Sequence, residues 1–132
     1  MIRTAGLAAP RNVKNEPVKK ALADALELRG YASLTAVQKS VTEPDLIGAD
    51  LLVSAQTGSG KTLAFGLPAL QRIADLDRGN IHGLILVPTR ELATQVVEEL
   101  GPLGEAIGLK TAAIYGGADI DKQIAQIEKG VD

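Results

Sequence analysis

A run of eight residues near the middle of the chain has the composition of a phosphate-binding loop. Its members are Ala55, Gln56, Thr57, Gly58, Ser59, Gly60, Lys61 and Thr62. The run fits the Walker A pattern, with Ala55 where the general pattern has glycine. Gly58 and Gly60 allow a tight turn whose backbone N–H groups point inward, which suits phosphate oxygens at a helix N-terminus. Lys61 adds positive charge near the β- and γ-phosphates, and the Thr62 hydroxyl is placed to coordinate Mg²⁺.

The alternative for this run is a flexible Gly-Ser turn that binds nothing. Such a turn has no need of Lys61 and Thr62 at a helix start directly after an apolar segment. The pattern therefore predicts that the loop binds the phosphates of a nucleotide. It does not by itself name the reaction.

Three short apolar segments are predicted to be strands, at residues 51–53, 84–87 and 111–115. Wholly apolar strands of this length are typical of a parallel sheet that is buried on both faces. Their alternation with amphipathic helices predicts an α/β fold with helices on both faces of the sheet. Ligands in such folds bind at the carboxyl ends of the strands, where the loop after Val53 lies.

The helices that connect these strands have recognisable starts and stops. Residues 1–14 are predicted to be an irregular lead-in, and residues 15–132 are predicted to be the N-terminal part of one domain. The first helix begins at Asn15-Glu16-Pro17 and ends at Gly30, and the second begins after Ser33 or Thr35. The apolar face of the first helix consists of Val18, Leu22, Ala25 and Leu26.

The three later helices follow the same logic. One runs from Lys61 to about residue 76, with a bend at Pro68. The next has Leu92, Val96 and Leu100 at four-residue spacing, and Gly101-Pro102 is predicted to interrupt it. The last begins at the capping residue Asp119 and ends at Gly130. Its apolar face consists of Ile120, Ile124 and Ile127.

Composition narrows the class of protein. The chain of 132 residues is 45% hydrophobic and 23% charged, as in soluble globular proteins. It has no cysteine, so disulfides, zinc-thiolate sites and thiol catalysis are excluded. Neither a membrane-spanning run nor a signal peptide is present, so we expect a cytoplasmic protein with no membrane partner. The net charge of -2 means that any binding of RNA must depend on specific residues.

Four segments, in this order, together resemble the DEAD-box family of RNA helicases. Residues 30–38 resemble the Q motif, and residues 55–62 resemble that family's Walker A loop. Residues 88–93, Pro-Thr-Arg-Glu-Leu-Ala, resemble motif Ia, and Gly116-Gly117 resembles the family's glycine doublet. The resemblance implies the first RecA-like domain of an ATP-dependent RNA helicase, a P-loop NTPase fold that is incomplete here. It also implies that the strands at residues 51–54 and 84–87 do not pair directly.

The resemblance assigns roles in binding ATP and Mg²⁺. Gln38 matches the glutamine whose amide reads the adenine edge, and Thr35 matches a threonine that supports the phosphate loop. An amide suits adenine because it offers both a donor and an acceptor. Taken alone, Gln38 would be read as a solvated helical residue. Lys61 and Thr62 are the catalytic candidates, and Thr62 is the metal ligand. Val13 stands where the family has an aromatic residue that stacks on adenine.

A second group of residues resembles the part of the family that binds RNA. Pro88, Thr89 and Arg90 match motif Ia, which contacts the sugar-phosphate backbone. Gly116 and Gly117 match a turn that lets the protein backbone approach RNA closely. The alternatives are an ion pair between Arg90 and a neighbouring acid, and a plain turn that ends a strand.

The motifs that would hydrolyse ATP are not in this sequence. It contains no Asp-Glu-Ala-Asp and no Ser-Ala-Thr. Phosphoryl transfer needs an acid that holds the metal and a group that orients the attacking water, and the family takes both from the first of these motifs. We therefore expect a piece of a longer helicase, inactive alone, whose full-length parent has a second RecA-like domain.

Two other functions remain open at this stage. The chain could belong to another P-loop NTPase, such as a DNA helicase or a small-molecule kinase, although the Q motif and motif Ia argue against this. It could also be a non-catalytic nucleotide-binding module. A nucleotide panel tests the first alternative, since Gln38 predicts adenine over guanine. The reading frame after Asp132 tests the second.

Overall fold

The computed structural model describes the backbone of residues 15–132 and the side chains from Lys20 onward. The lead-in at residues 1–14, and with it Val13, lies outside the described residues. The helices are α1 (Asn15–Leu28), α2 (Ala36–Val41), α3 (Lys61–Ile73), α4 (Arg90–Ala106) and α5 (Ile120–Glu128), with a short 3-10 helix at Pro44–Leu46. None of the described helices is long and apolar enough to cross a membrane.

The predicted helix starts are confirmed. Helix α1 begins at Asn15, and α2 begins directly after Thr35. Helix α5 begins after Asp119, whose Oδ1 accepts hydrogen bonds from the backbone N–H groups of Asp121 and Lys122 at 3.0 and 3.2 Å. These caps satisfy N–H groups that have no partner inside the helix. Local sequence therefore determines where the loops before α2 and α5 end and the helices begin.

The core is aliphatic and lies where α1, α3 and α4 pack together. Its buried members are Leu22, Leu26, Leu63, Leu67, Leu70, Val96, Leu100, Leu103 and Leu109. Gly66 of α3 lies directly against Leu100 of α4, so that a Cβ at this position would overlap the leucine side chain. This close contact fixes α3, and therefore the loop at its N-terminus, against the rest of the domain.

The predicted interruption at Gly101-Pro102 is wrong, because α4 continues through it to Ala106. Pro102 has no backbone N–H, so the carbonyl of Glu98, four residues earlier, loses its helical partner. The Arg29 guanidinium donates to that carbonyl at 3.5 Å. Gly101 and Leu103 are both buried against the core, which holds this turn of the helix in place. Tertiary packing thus overrides the local signal.

The three apolar segments have no regular secondary structure, and no residue between 15 and 132 lies in a strand. The first two are largely exposed, against the prediction that they are buried: Leu52 is 99% exposed, Leu84 72% and Leu86 84%. Most of residues 111–115 are half-buried. The physical reason is that no neighbouring strand among the described residues covers or pairs with them. As expected, no backbone hydrogen bond joins residues 51–54 to residues 84–87.

The apolar face predicted for α5 exists but is not covered by the described residues. Ile120, Ile124 and Ile127 share this face and are 67%, 47% and 37% exposed. One polar residue, Gln123, lies on the same face at helical spacing. Its side chain is half-buried, because it points back to the segment that precedes the helix.

Candidate functional site

The phosphate loop occupies residues 55–60, between the apolar segment 51–54 and the first turn of α3. Gly58 and Gly60 have φ angles of +80° and +85°, in the left-handed region that favours glycine. Gly60 is the N-cap of α3, and the Ser59 N–H donates to the Gln56 carbonyl at 3.2 Å. The loop therefore makes a tight turn onto the N-terminus of a helix.

The Lys61 side chain folds back across this loop. Its ammonium group donates to the carbonyl oxygens of Ala55 at 2.5 Å and Gln56 at 3.0 Å. The residue is exposed, and Thr62 beside it in the first turn of α3 is half-buried. Two backbone oxygens thus hold the positive charge at the mouth of the loop. An anionic ligand could take over these hydrogen bonds.

Two residues of the predicted Q motif hold the phosphate loop from the side. The Thr35 hydroxyl donates to the Ser59 carbonyl at 2.9 Å, and the Gln38 amide nitrogen donates to the Gly60 carbonyl at 3.1 Å. Gln38 also accepts from the Thr35 N–H at 2.9 Å, which completes a capping box at the start of α2. Gln38 is only 2% exposed. The start of α2 therefore positions the two residues that end the loop.

The fit around Gly60 is close. A Cβ at this position would overlap the amide nitrogen of Gln38, so only glycine leaves room for the hydrogen bond to the Gly60 carbonyl. The Ser59 hydroxyl is buried and has no hydrogen-bond partner within the described part of the chain. A buried hydroxyl without a partner is costly unless a ligand or water supplies one.

The residues predicted to bind RNA lie at the N-terminus of α4. Pro88 is exposed, and Thr89 caps the helix by accepting from the Leu92 N–H at 3.2 Å. Arg90 donates from Nε to a Glu91 carboxylate oxygen at 2.9 Å. The hydrogen bond from Arg90, aided by the Glu91 backbone N–H, lowers the pKa of the Glu91 carboxyl below its ordinary value. The ion pair between Arg90 and a neighbouring acid, which the sequence left open as an alternative, is therefore present.

The glycine doublet lies beside Arg90. Gly117 has a φ angle of +84°, and a Cβ built on it would be 3.8 Å from Nη1 of Arg90. Gly116 has open space around it. The structure thus brings Arg90 and the doublet together, although they are about 26 residues apart in the chain. Between residues 20 and 132, no hydrogen bond or ion pair joins this group to the phosphate loop.

Sequence reasoning missed Gln123, whose amide makes two hydrogen bonds to the backbone of Tyr115. A signal was present, because Gln123 is the one polar position on the face shared by Ile120, Ile124 and Ile127. A polar residue within an apolar face needs a hydrogen-bonding partner.

The left-handed glycines, the lysine at the helix start and the anchored loop define a P-loop nucleotide-binding protein. The sequence model of the DEAD/DEAH box helicase family matches residues 35–132. The chain therefore belongs to the DEAD/DEAH box helicase family.

Relatives of known name agree with this membership. The chain is 40% identical over 133 residues to DEAD-box ATP-dependent RNA helicase 7 of Spinacia oleracea, covering 93% of this chain and 19% of the relative. It is 41% identical over 105 residues to the DEAD-box ATP-dependent RNA helicase CshA of Streptococcus pneumoniae, covering 80% and 20% respectively. The chain thus spans about a fifth of the length of these relatives.

Solved structures give the fold. The RNA helicase Prp28 from Chaetomium thermophilum, bound to ADP, matches 98% of this chain with a TM-score of 0.77 and 32% identity. A hypothetical ATP-dependent RNA helicase from Sulfolobus tokodaii matches 82% with a TM-score of 0.71 and 31% identity. This chain covers 33% and 30% of those two chains. The fold is that of a RecA-like helicase domain.

Proposed function

We propose that this chain is the ATP- and RNA-binding part of an ATP-dependent DEAD-box RNA helicase. The full-length protein would couple ATP hydrolysis to the unwinding or remodelling of RNA duplexes. The observation that carries the proposal is the attachment of the phosphate loop to Thr35 and Gln38. It joins two of the four segments that resemble the family into one site. The names of the relatives support the same activity.

The residues of the loop fit a nucleotide with Mg²⁺. The backbone N–H groups of the loop would receive the phosphates, and Lys61 would exchange its two carbonyl partners for phosphate oxygens. Thr62 would offer its hydroxyl to the metal. The buried Ser59 hydroxyl without a partner supports a ligand at this place. Mg²⁺, when bound, would supply positive charge that offsets the negative charge developing on the phosphates.

The role of Gln38 in reading adenine stays a prediction. Its amide oxygen and nitrogen each already have one partner, Thr35 and Gly60. An amide has a second N–H and a second lone pair, so both bonds can persist while the base is bound. Because the Gln38 side chain is only 2% exposed, the base would have to contact the small part of it that is open at the start of α2.

We further propose that the three apolar segments belong to a parallel sheet with helices on both faces. The placement of Asp132 supports this. Its N–H donates to the Lys110 carbonyl at 3.0 Å, and its carbonyl accepts from His82 and Gly83 at 2.6 and 2.9 Å. Asp132 thus lies between the starts of two of the apolar segments, at residues 84–87 and 111–115. A strand that continued from it would run between residues 84–87 and 111–115 and pair with both.

The experiment that tests the function compares this chain with the full-length protein. We expect the full-length protein to hydrolyse ATP when RNA is added. We also expect it to be cytoplasmic and to contain a second RecA-like domain. We expect no ATP hydrolysis from residues 1–132 alone, since they lack the motif that holds the metal and orients water. Phosphate release is measured with and without RNA. Turnover by the isolated chain, or none by the full-length protein, would contradict the proposal.

The RNA site has its own test. Replacing Arg90 by alanine in the full-length protein should weaken RNA binding similarly for all sequences. The salt dependence of the affinity should become shallower by about one counterion, as for a lost phosphate contact. Affinity is measured by fluorescence anisotropy at several salt concentrations.

The matched control for this test is Lys20→Ala. Lys20 is also an exposed cation in an ion pair, with Asp24 at 2.7 Å, but it lies on α1. Both substitutions remove one positive charge and one surface pair. Equal effects from the two would mean that bulk charge matters and Arg90 does not contact RNA. An unchanged affinity and salt slope for Arg90→Ala would mean that its pairing with Glu91 is its only role.

The second candidate function is a non-catalytic P-loop module. The self-contained phosphate loop favours it, because the loop and its two anchoring residues are complete within the described part of the chain. Such a module would bind a nucleotide without RNA dependence. Nucleotide affinity that does not change when RNA is added to the full-length protein would favour this alternative.

A further inference from the structure

The turn that carries the glycine doublet is held by a side chain from the following helix. The Gln123 amide oxygen accepts from the Tyr115 N–H at 2.9 Å, and its amide nitrogen donates to the Tyr115 carbonyl at 3.2 Å. Tyr115 is the last residue before Gly116. One side chain therefore satisfies both backbone groups of one residue, as a neighbouring strand would do.

The other end of the turn is fixed as well. Asp119 caps α5, and the Gln123 N–H donates to the Asp119 carbonyl at 3.2 Å. Residues 116–118 thus lie between two fixed residues, Tyr115 and Asp119. They include two glycines, the residue type with the greatest backbone freedom. Without the Gln123 amide, this freedom would extend to Tyr115 and the turn could leave Arg90.

We propose that Gln123 is a positioning residue for RNA binding, which it supports by holding Gly116 and Gly117 beside Arg90. It does not itself touch RNA. The inference rests on the proposed function, because it gives a purpose to the placement of the turn. It adds that both halves of the amide are required, since one bond alone would let the Tyr115 peptide rotate about the remaining contact.

The test compares Gln123→Met and Gln123→Glu with the control Gln126→Met in the full-length protein. Methionine keeps the volume and helix propensity of glutamine but makes neither hydrogen bond. Glutamate keeps an acceptor for the Tyr115 N–H but has no donor for its carbonyl. Gln126 lies on the same helix, is exposed, and makes no side-chain hydrogen bond within residues 20–132.

We expect both Gln123 variants to lower RNA affinity by roughly three- to tenfold, the equivalent of about one hydrogen bond. ATP affinity should stay within twofold, because no described contact joins this turn to the phosphate loop. Amide hydrogen exchange at Tyr115, Gly116 and Gly117 should accelerate. The Gln126→Met variant should match the unaltered protein in all three measurements.

The outcomes separate this inference from the function on which it rests. If the unaltered protein binds RNA and both Gln123 variants bind it equally well, the inference is overturned and the proposed function stands. Loss of ATP and RNA affinity together would also overturn it, since that would show a general structural role. If the unaltered protein binds no RNA at all, the proposed function is wrong and this inference falls with it.

Discussion

ATP turnover by the full-length protein should fall by at least about a hundredfold when Lys61 is replaced by alanine, the loss typical of removing one preorganised charge stabiliser. The ammonium group lies at the mouth of the phosphate loop, where the carbonyls of Ala55 and Gln56 hold it. In the proposed function it would move onto the γ-phosphate and stabilise the charge that develops there. Alanine can do neither. The measurement is steady-state phosphate release with saturating RNA.

The control for this prediction is Lys39→Ala. Lys39 is an exposed lysine in the last turn of α2, one residue from Gln38, and it makes no side-chain hydrogen bond in the described part of the chain. The Lys39→Ala substitution should leave ATP turnover unchanged. Lys61→Ala should also leave folding nearly unchanged, because the two lost hydrogen bonds are at an exposed site and contribute little there. Turnover within twofold of the unaltered protein would show that the loop does not act on ATP.

Much of the candidate site was predictable because its signals are local. The phosphate loop, the cap at Thr35 and the cap at Asp119 each depend on residues within a few positions of one another. Side-chain chemistry and backbone freedom decide such features whatever the rest of the chain does. The support of the loop by Thr35 was predicted from the resemblance to the family. The structure adds the hydrogen bond from Thr35 to the Ser59 carbonyl.

The features that sequence could not give depend on distant partners. The local signal at Pro102 indicated a break, yet Arg29 donates to the Glu98 carbonyl, which the proline leaves without a helical partner, across a separation of 69 residues. The apolar segment at residues 51–53 indicated a buried strand, yet Leu52 is fully exposed where no neighbouring strand is described. The hydrogen bonds between Gln123 and Tyr115 depend on the geometry of the turn between them, which residue spacing alone does not specify.

The second prediction concerns Gly60, the residue on which the phosphate loop and Gln38 meet. Replacing it by alanine in the 132-residue chain should lower the free energy of unfolding by roughly 2–4 kcal/mol. Of this, about 1–2 kcal/mol comes from forcing a side chain into the left-handed region, and a similar amount from the displaced hydrogen bond. The φ angle of Gly60 is +85°, and the new Cβ would overlap the amide nitrogen of Gln38. Urea denaturation measures the change.

The chain supplies a matched control in Gly58, which has a φ angle of +80° but nothing within 4 Å of its Cβ position. Gly58→Ala should therefore incur the backbone penalty alone, and the difference between the two variants isolates the contact with Gln38. In a Gln38→Ala background that contact is already gone, so Gly60→Ala should then cost no more than Gly58→Ala. Equal costs for the two glycines in the unaltered background would mean that Gln38 does not fix the loop. Nucleotide affinity should follow the same order, because the carbonyl that Gln38 holds belongs to the residue from which α3 and Lys61 begin.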